Sequence, residues 1–129
     1  MRRALAVALL VAAAAGACGG SSGASKSTTT TTPFPVSGDP VAGQAAIAKY
    51  GCTNCHQIPG FKKPASPNGP PLAGIRNAAT IGGGVLPFSE DNLIKWIENP
   101  QAVAPGTSMP NLNVAPDDAR NIAAYLLQH

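Results

Sequence analysis

Apolar residues fall into four separate stretches of the chain, and each has a different pattern. Residues 4–15 are an unbroken apolar run, and residues 19–37 that follow have no apolar periodicity at all. Asp39-Pro40 then pairs an N-cap with proline at a first helical position, which predicts a helix from Pro40 to about Gly51. Its small residues, Gly43, Ala45, Ala46 and Ala48, let a second backbone come close, and Ile47 adds apolar bulk. Between residues 57 and 74 stand Pro59, Pro64, Pro67, Pro70 and Pro71 with Gly60, Gly69 and Gly74, so this stretch is loop. Residues 76–86 read as loop with at most one helical turn, since Gly82-Gly83-Gly84 breaks any regular element. Ser89 caps a second helix whose face is Leu93, Ile94, Trp96 and Ile97 and which stops at Asn99, before Pro100. Residues 101–114 are again loop. A last helix runs from Pro116 to about Gln128, with Asp117 and Asp118 in its first turn and Ala119, Ile122, Ala123 and Leu126 on one side. Ala115 is a weak cap, so the start of that helix depends on packing. No stretch has a strand pattern. The predicted class is all-α, with three to five short helices and loops long enough to need something central to wrap around.

The apolar run at 4–15 follows Met1-Arg2-Arg3 and ends in Gly16-Ala17, the arrangement of an export signal, and it is short for a transmembrane span. Residues 1–17 are therefore expected to be a signal peptide. With Cys18 directly after the small residues, this segment resembles a bacterial lipoprotein signal, in which that cysteine becomes the lipid-modified N-terminus. Ordinary cleavage, leaving a free Cys18, and an uncleaved apolar anchor are the alternatives. Residues 18–38 then form a disordered tether rich in Gly, Ser and Thr, with threonines throughout 28–32. The nineteen residues at 19–37 have a root-mean-square span of about 24 Å and an extended reach of about 65 Å. A folded domain occupies 39–129.

The formal charge of +3 suggests a basic protein, but Arg2 and Arg3 belong to the export segment. With these set aside, seven basic residues face six acidic ones, and no interleaving of Lys, Arg and aromatics argues for a nucleic-acid partner. Phe34, Tyr50, Phe61, Phe88, Trp96 and Tyr125 are all the aromatics there are. A domain of about 90 residues with so few large side chains has a thin core, which a buried macrocycle would fill.

The chemistry centres on Cys52-Thr53-Asn54-Cys55-His56, the C-x-x-C-H pattern of covalent haem attachment. On one helical turn both thiols face the same side and can bond two vinyl groups of one porphyrin, while the next residue brings its imidazole to the iron. Cys52 and Cys55 are thus the candidate thioether residues and His56 the candidate axial ligand. A redox disulfide would want a βαβ setting, and half a zinc site would want a second ligand pair; outside the motif only Cys18 and His129 remain. Once the signal is removed, Met109 is the sole methionine, in the loop Pro105-Gly106-Thr107-Ser108-Met109-Pro110. It is the candidate second ligand, packing filler being the bland alternative. His129 is read as a solvated end.

These pieces together resemble class I cytochromes c over residues 39–129. The resemblance is carried by Gly43 and Ile47, Gly51-Cys52-Thr53-Asn54-Cys55-His56, Gly69-Pro70-Pro71-Leu72, the Met109 loop, and Ala124-Tyr125-Leu126. It implies one covalent haem c with His56 and Met109 as axial ligands, first and last helices crossing at Gly43 against Ile122, Tyr125 and Leu126, and the Pro70 carbonyl accepting from the His56 ring. Arg76 and Trp96 are candidate donors to haem propionates, or else a solvated loop charge and plain helix core. Lys62 and Lys63 either steer an acidic partner or serve solubility. Residues 92–127 look similar to small membrane-attached cytochromes c serving bacterial haem-copper oxidases. The implied function is one-electron transfer without catalysis, in a respiratory chain between partners such as a quinol-oxidising complex and a terminal oxidase. The protein would sit outside the cytoplasm on an N-terminal lipid anchor. A peroxidase-like haem enzyme, a ligand sensor and a fixed redox subunit of a larger complex are the alternatives.

Overall fold

The computed structural model describes residues 36–129. The export signal expected at 1–17, Cys18, and all but the end of the tether lie outside the described residues. At Asp39 the capping logic holds: its carboxylate accepts from the Val41 N–H at 2.8 Å, and α1 runs Pro40–Lys49. Its buried face is Gly43, Ala46 and Ile47, while Ala45 and Ala48 look outward. The Cys52–Asn54 segment is a tight 3-10 turn, and a second such turn spans Ile75–Asn77. Ser89 accepts from the Asn92 N–H at 3.1 Å and starts α2, Glu90–Glu98.

Two small elements depart from the sequence reading. Thr80–Ile81 (β1) pairs antiparallel with Leu86–Pro87 (β2), so the three glycines that were expected only to break structure instead form a turn, all at positive φ. Strands of two residues are too short to show alternation, which is why no strand pattern was visible. One helical turn, α3 at Pro100–Val103, stands where loop was expected. The Asn99 side chain accepts from the Ala102 N–H at 3.0 Å, and Pro100 occupies the first position. This is the Asp39-Pro40 device used a second time.

The last helix, α4, spans Pro116–Gln128 and carries the core: Ala119, Ile122, Ala123, Ala124, Tyr125, Leu126 and Leu127 are all buried. Burial on more than one side follows from its position, since both α1 and α2 pack against it. The α1–α4 crossing is backbone against backbone. A Cβ at Gly43 would overlap the Asn121 main-chain carbonyl and press on Tyr125 Cβ, so any side chain there would force the helices apart. The chain is docked before α1 begins, two residues ahead of the expected domain start. Ser37 donates to Glu90 Oε1 from both its N–H and its hydroxyl, at 2.7 and 2.9 Å, and the Asp39 N–H donates to Asn121 Oδ1 at 2.8 Å.

Ala115 has no side-chain cap to offer, and α1 supplies what is missing. The Tyr50 hydroxyl accepts from the Ala115 N–H at 3.2 Å and donates to Asp118 Oδ2 at 2.9 Å, where Lys49 Nζ also donates at 2.8 Å. Lys49 first, and then Tyr50, hold the Asp118 carboxyl below its ordinary value. A carboxyl depressed by folding stabilises at pH values above the unfolded-state value and loses that contribution as pH falls through the folded one. Stability should therefore decline below about pH 4, and Asp118→Asn should flatten that acid limb in urea melts taken across pH. An unchanged acid slope would mean that the cluster is too exposed to matter.

Candidate functional site

The site is built on the turn after α1. The Cys55 and His56 N–H groups both donate to the Cys52 carbonyl, at 3.3 and 3.0 Å, closing one tight helical turn that carries both thiols and the imidazole. Residues 69–72 are laced to this turn by two main-chain bonds, Gly69 N–H to the Cys55 carbonyl at 3.0 Å and Leu72 N–H to the Gln57 carbonyl at 2.9 Å. That lacing brings the Pro70 carbonyl to 2.8 Å from His56 Nδ1. A carbonyl can only accept, so Nδ1 carries the hydrogen and Nε2 presents its lone pair outward. Such a bond fixes ring orientation and raises ligand basicity.

Gly69 also walls the imidazole, because a Cβ there would overlap the His56 ring at Cε1, Nδ1 and Nε2. Sequence reasoning used Gly69 only as part of a motif and missed this role; the signal was a glycine directly before the proline whose carbonyl was implicated. Burial pushes the Cys52 thiol up from its ordinary value. That is opposite in direction to the lowered first cysteine of a redox C-x-x-C. Among the described residues no group of three or more His, Cys, Asp or Glu side chains is placed to hold a metal.

Cys52, Leu72, Ile75, Leu86, Phe88, Ile94 and Trp96 pack against the core yet stay only partly buried, and Val85 is 49% exposed. A domain with this much half-covered apolar surface suits an apolar macrocycle seated beside it. The donor set suits it as well: paired thiols, an oriented imidazole, and a thioether on a separate loop. Met109 is half-buried on that loop, whose backbone is held by Gln101, a residue the sequence reading passed over.

The other candidates sit elsewhere. Arg76 donates to the Leu127 main-chain carbonyl at 3.4 Å, close to the C-terminal end of α4, where a cation suits the helix dipole. The Trp96 ring lies against Gly82, at the start of the turn between β1 and β2. His129 is not merely a solvated end: its ring stacks on Tyr125 with centroids 4.2 Å apart, and its Nδ1 lies 2.8 Å from the Tyr125 carbonyl. Tyr125 in turn donates from its hydroxyl to the Pro59 carbonyl at 2.8 Å and meets Phe61 edge-on. Lys62 and Lys63 are exposed beside Thr53 and Asn54, and among the described residues neither is in an ion pair. No helix of the described residues is long and apolar enough to cross a membrane.

Known proteins fit this geometry. The family profile described as cytochrome c matches residues 40–129. A cytochrome c oxidase subunit 2 from Bacillus sp. (strain PS3) is 40% identical over 78 residues, 58% of this chain but only 22% of that subunit. A cytochrome c2 from Rhodomicrobium vannielii is 31% identical over 100 residues, covering 70% of this chain and 78% of the relative. Among solved structures, cytochrome c2 from Rhodobacter sphaeroides matches with a TM-score of 0.56 at 21% identity, over 70% of this chain and 95% of that one.

Proposed function

Since this chain belongs to the cytochrome c family, whose members carry electrons rather than catalyse a reaction, we propose that it is a mono-haem carrier tethered to the outer face of a cell membrane. In this reading Cys52 and Cys55 would hold the macrocycle, and His56 and Met109 would ligate its iron. When bound, the haem supplies a metal that accepts and releases one electron at a time, at a potential that Met/His ligation raises. The chain's own part is to orient and to exclude. Pro70 fixes the ring of His56, Gly69 leaves that ring no room to tilt, and the partly buried apolar residues keep water from the site. Met109 closes the position that an enzyme or a sensor would leave open.

One observation carries this reading: the His56 imidazole is oriented by Pro70 so that Nε2 is free to bind metal. The likeness to part of an oxidase subunit favours a terminal oxidase as acceptor, and a quinol-oxidising complex is the matching donor. Lys62 and Lys63, beside the haem-binding turn, give an acidic partner a place to approach. Cys18 is the lipidated residue, and the export segment at 1–17 places the domain outside the cytoplasm. Arg76 and Trp96 remain proposed propionate donors, although Arg76 would then have to leave Leu127 or share its guanidinium.

Fractionation of cells expressing the full chain tests the tether. Wild-type protein should go with membranes, and Cys18→Ala should move most of it to the soluble extracytoplasmic fraction with its visible spectrum unaltered, since stable anchoring takes more than one acyl chain. Membrane retention of Cys18→Ala at the wild-type level would instead point to an uncleaved apolar N-terminus.

A further inference from the structure

Between α3 and α4 there is no helix or strand to hold the loop that presents Met109. Around Met109 itself the side chain that holds the backbone is Gln101. Gln101 Nε2 donates to the Thr107 carbonyl at 2.7 Å and to the Met109 carbonyl at 2.9 Å, while Oε1 accepts from the Gly106 N–H at 3.2 Å. Both amide hydrogens are used, and the orientation is unambiguous because two of the three partners can only accept and the third can only donate. Gln101 is itself well founded, on a helical turn capped by Asn99 and begun by the buried Pro100.

We propose that Gln101 is the positioning residue for the methionine side of the haem site, setting how tightly Met109 stays on the iron. This rests on the reading of Met109 as an axial ligand. The residue type fits the task. Glutamate would lose both donors and set a carboxylate against two carbonyl oxygens, and asparagine would be one methylene short. Its three bonds all end on loop backbone, none on the α1–α4 crossing, so the effect falls on ligation rather than on the main core.

The test uses ferric holoprotein: wild type, Gln101→Ala, Gln101→Glu, and Tyr50→Phe as a control that removes two hydrogen bonds at the start of α4 and leaves the bonds around residues 105–110 alone. The readouts are imidazole affinity, the weak sulfur-to-iron absorption band and the midpoint potential. Gln101→Ala should bind imidazole about tenfold more tightly or better, with a weakened band and a lower potential, and Gln101→Glu should go further. Tyr50→Phe should melt earlier but match wild type in all three readouts. The proposal is overturned if Gln101→Ala keeps wild-type imidazole affinity and band. It falls together with the ligation reading if wild-type protein itself lacks the band, so the two failures are told apart by the wild-type spectrum alone.

Discussion

Met109→Ala is expected to raise the cyanide affinity of the ferric protein about a hundredfold, equivalent to roughly 3 kcal/mol of lost competition from the sulfur. The red-end absorption band should vanish, and the potential should fall, within the about 0.8 V over which axial ligands tune haem. Met109→His should lower the potential while keeping the iron closed, so the pair separates access from energetics. Neither substitution touches the buried residues of α4, and the melting transition should stay cooperative. Electron delivery to a high-potential acceptor should then fail in both variants although the fold survives. Rapid cyanide binding and peroxide turnover by wild-type protein, unaffected by Met109→Ala, would sink the carrier reading in favour of an enzyme or a sensor.

What the sequence revealed about this site was whatever a few adjacent residues decide. A cap followed by proline, a 3.6-residue apolar period and the C-x-x-C-H spacing are local signals, and α1, α2, α4 and the Cys52–Asn54 turn follow them. Asn99-Pro100 was an equally good local signal for α3, but a single turn carries no period to support it. Contacts between distant residues were not legible. Nothing in the vicinity of Ala115 says that Tyr50, 65 residues earlier, will accept from its N–H. Nor does the sequence around Arg76 say that its guanidinium will reach the Leu127 carbonyl, 51 residues further on.

Removing the attachment residues should have the second large effect. A chain with Cys52→Ala and Cys55→Ala, or with His56→Ala, should lose about 5 kcal/mol or more, enough to unfold a marginal domain of this size. Leu72, Ile75, Leu86, Phe88, Ile94 and Trp96, only partly buried against the core, would lose the apolar cover that a macrocycle would give. Far-UV circular dichroism should show reduced helix, and urea titration should give a shallow, non-cooperative curve. A full helical signal with a steep melt in the haem-free chain would show that α1, α2 and α4 suffice by themselves.

The bond from Asp39 to Asn121 joins residues 82 positions apart, and the pairing of α1 with α4 has the same reach. Those two helices are the first and last in the described order, so the core cannot close until nearly all of the domain has been synthesised. Closing so large a loop is slow compared with forming a local helical turn. The Cys52–Asn54 turn can therefore exist while α4 is still missing, with both thiols accessible. The topology thus leaves an interval before α4 arrives in which the thiols of Cys52 and Cys55 would still be open to covalent attachment.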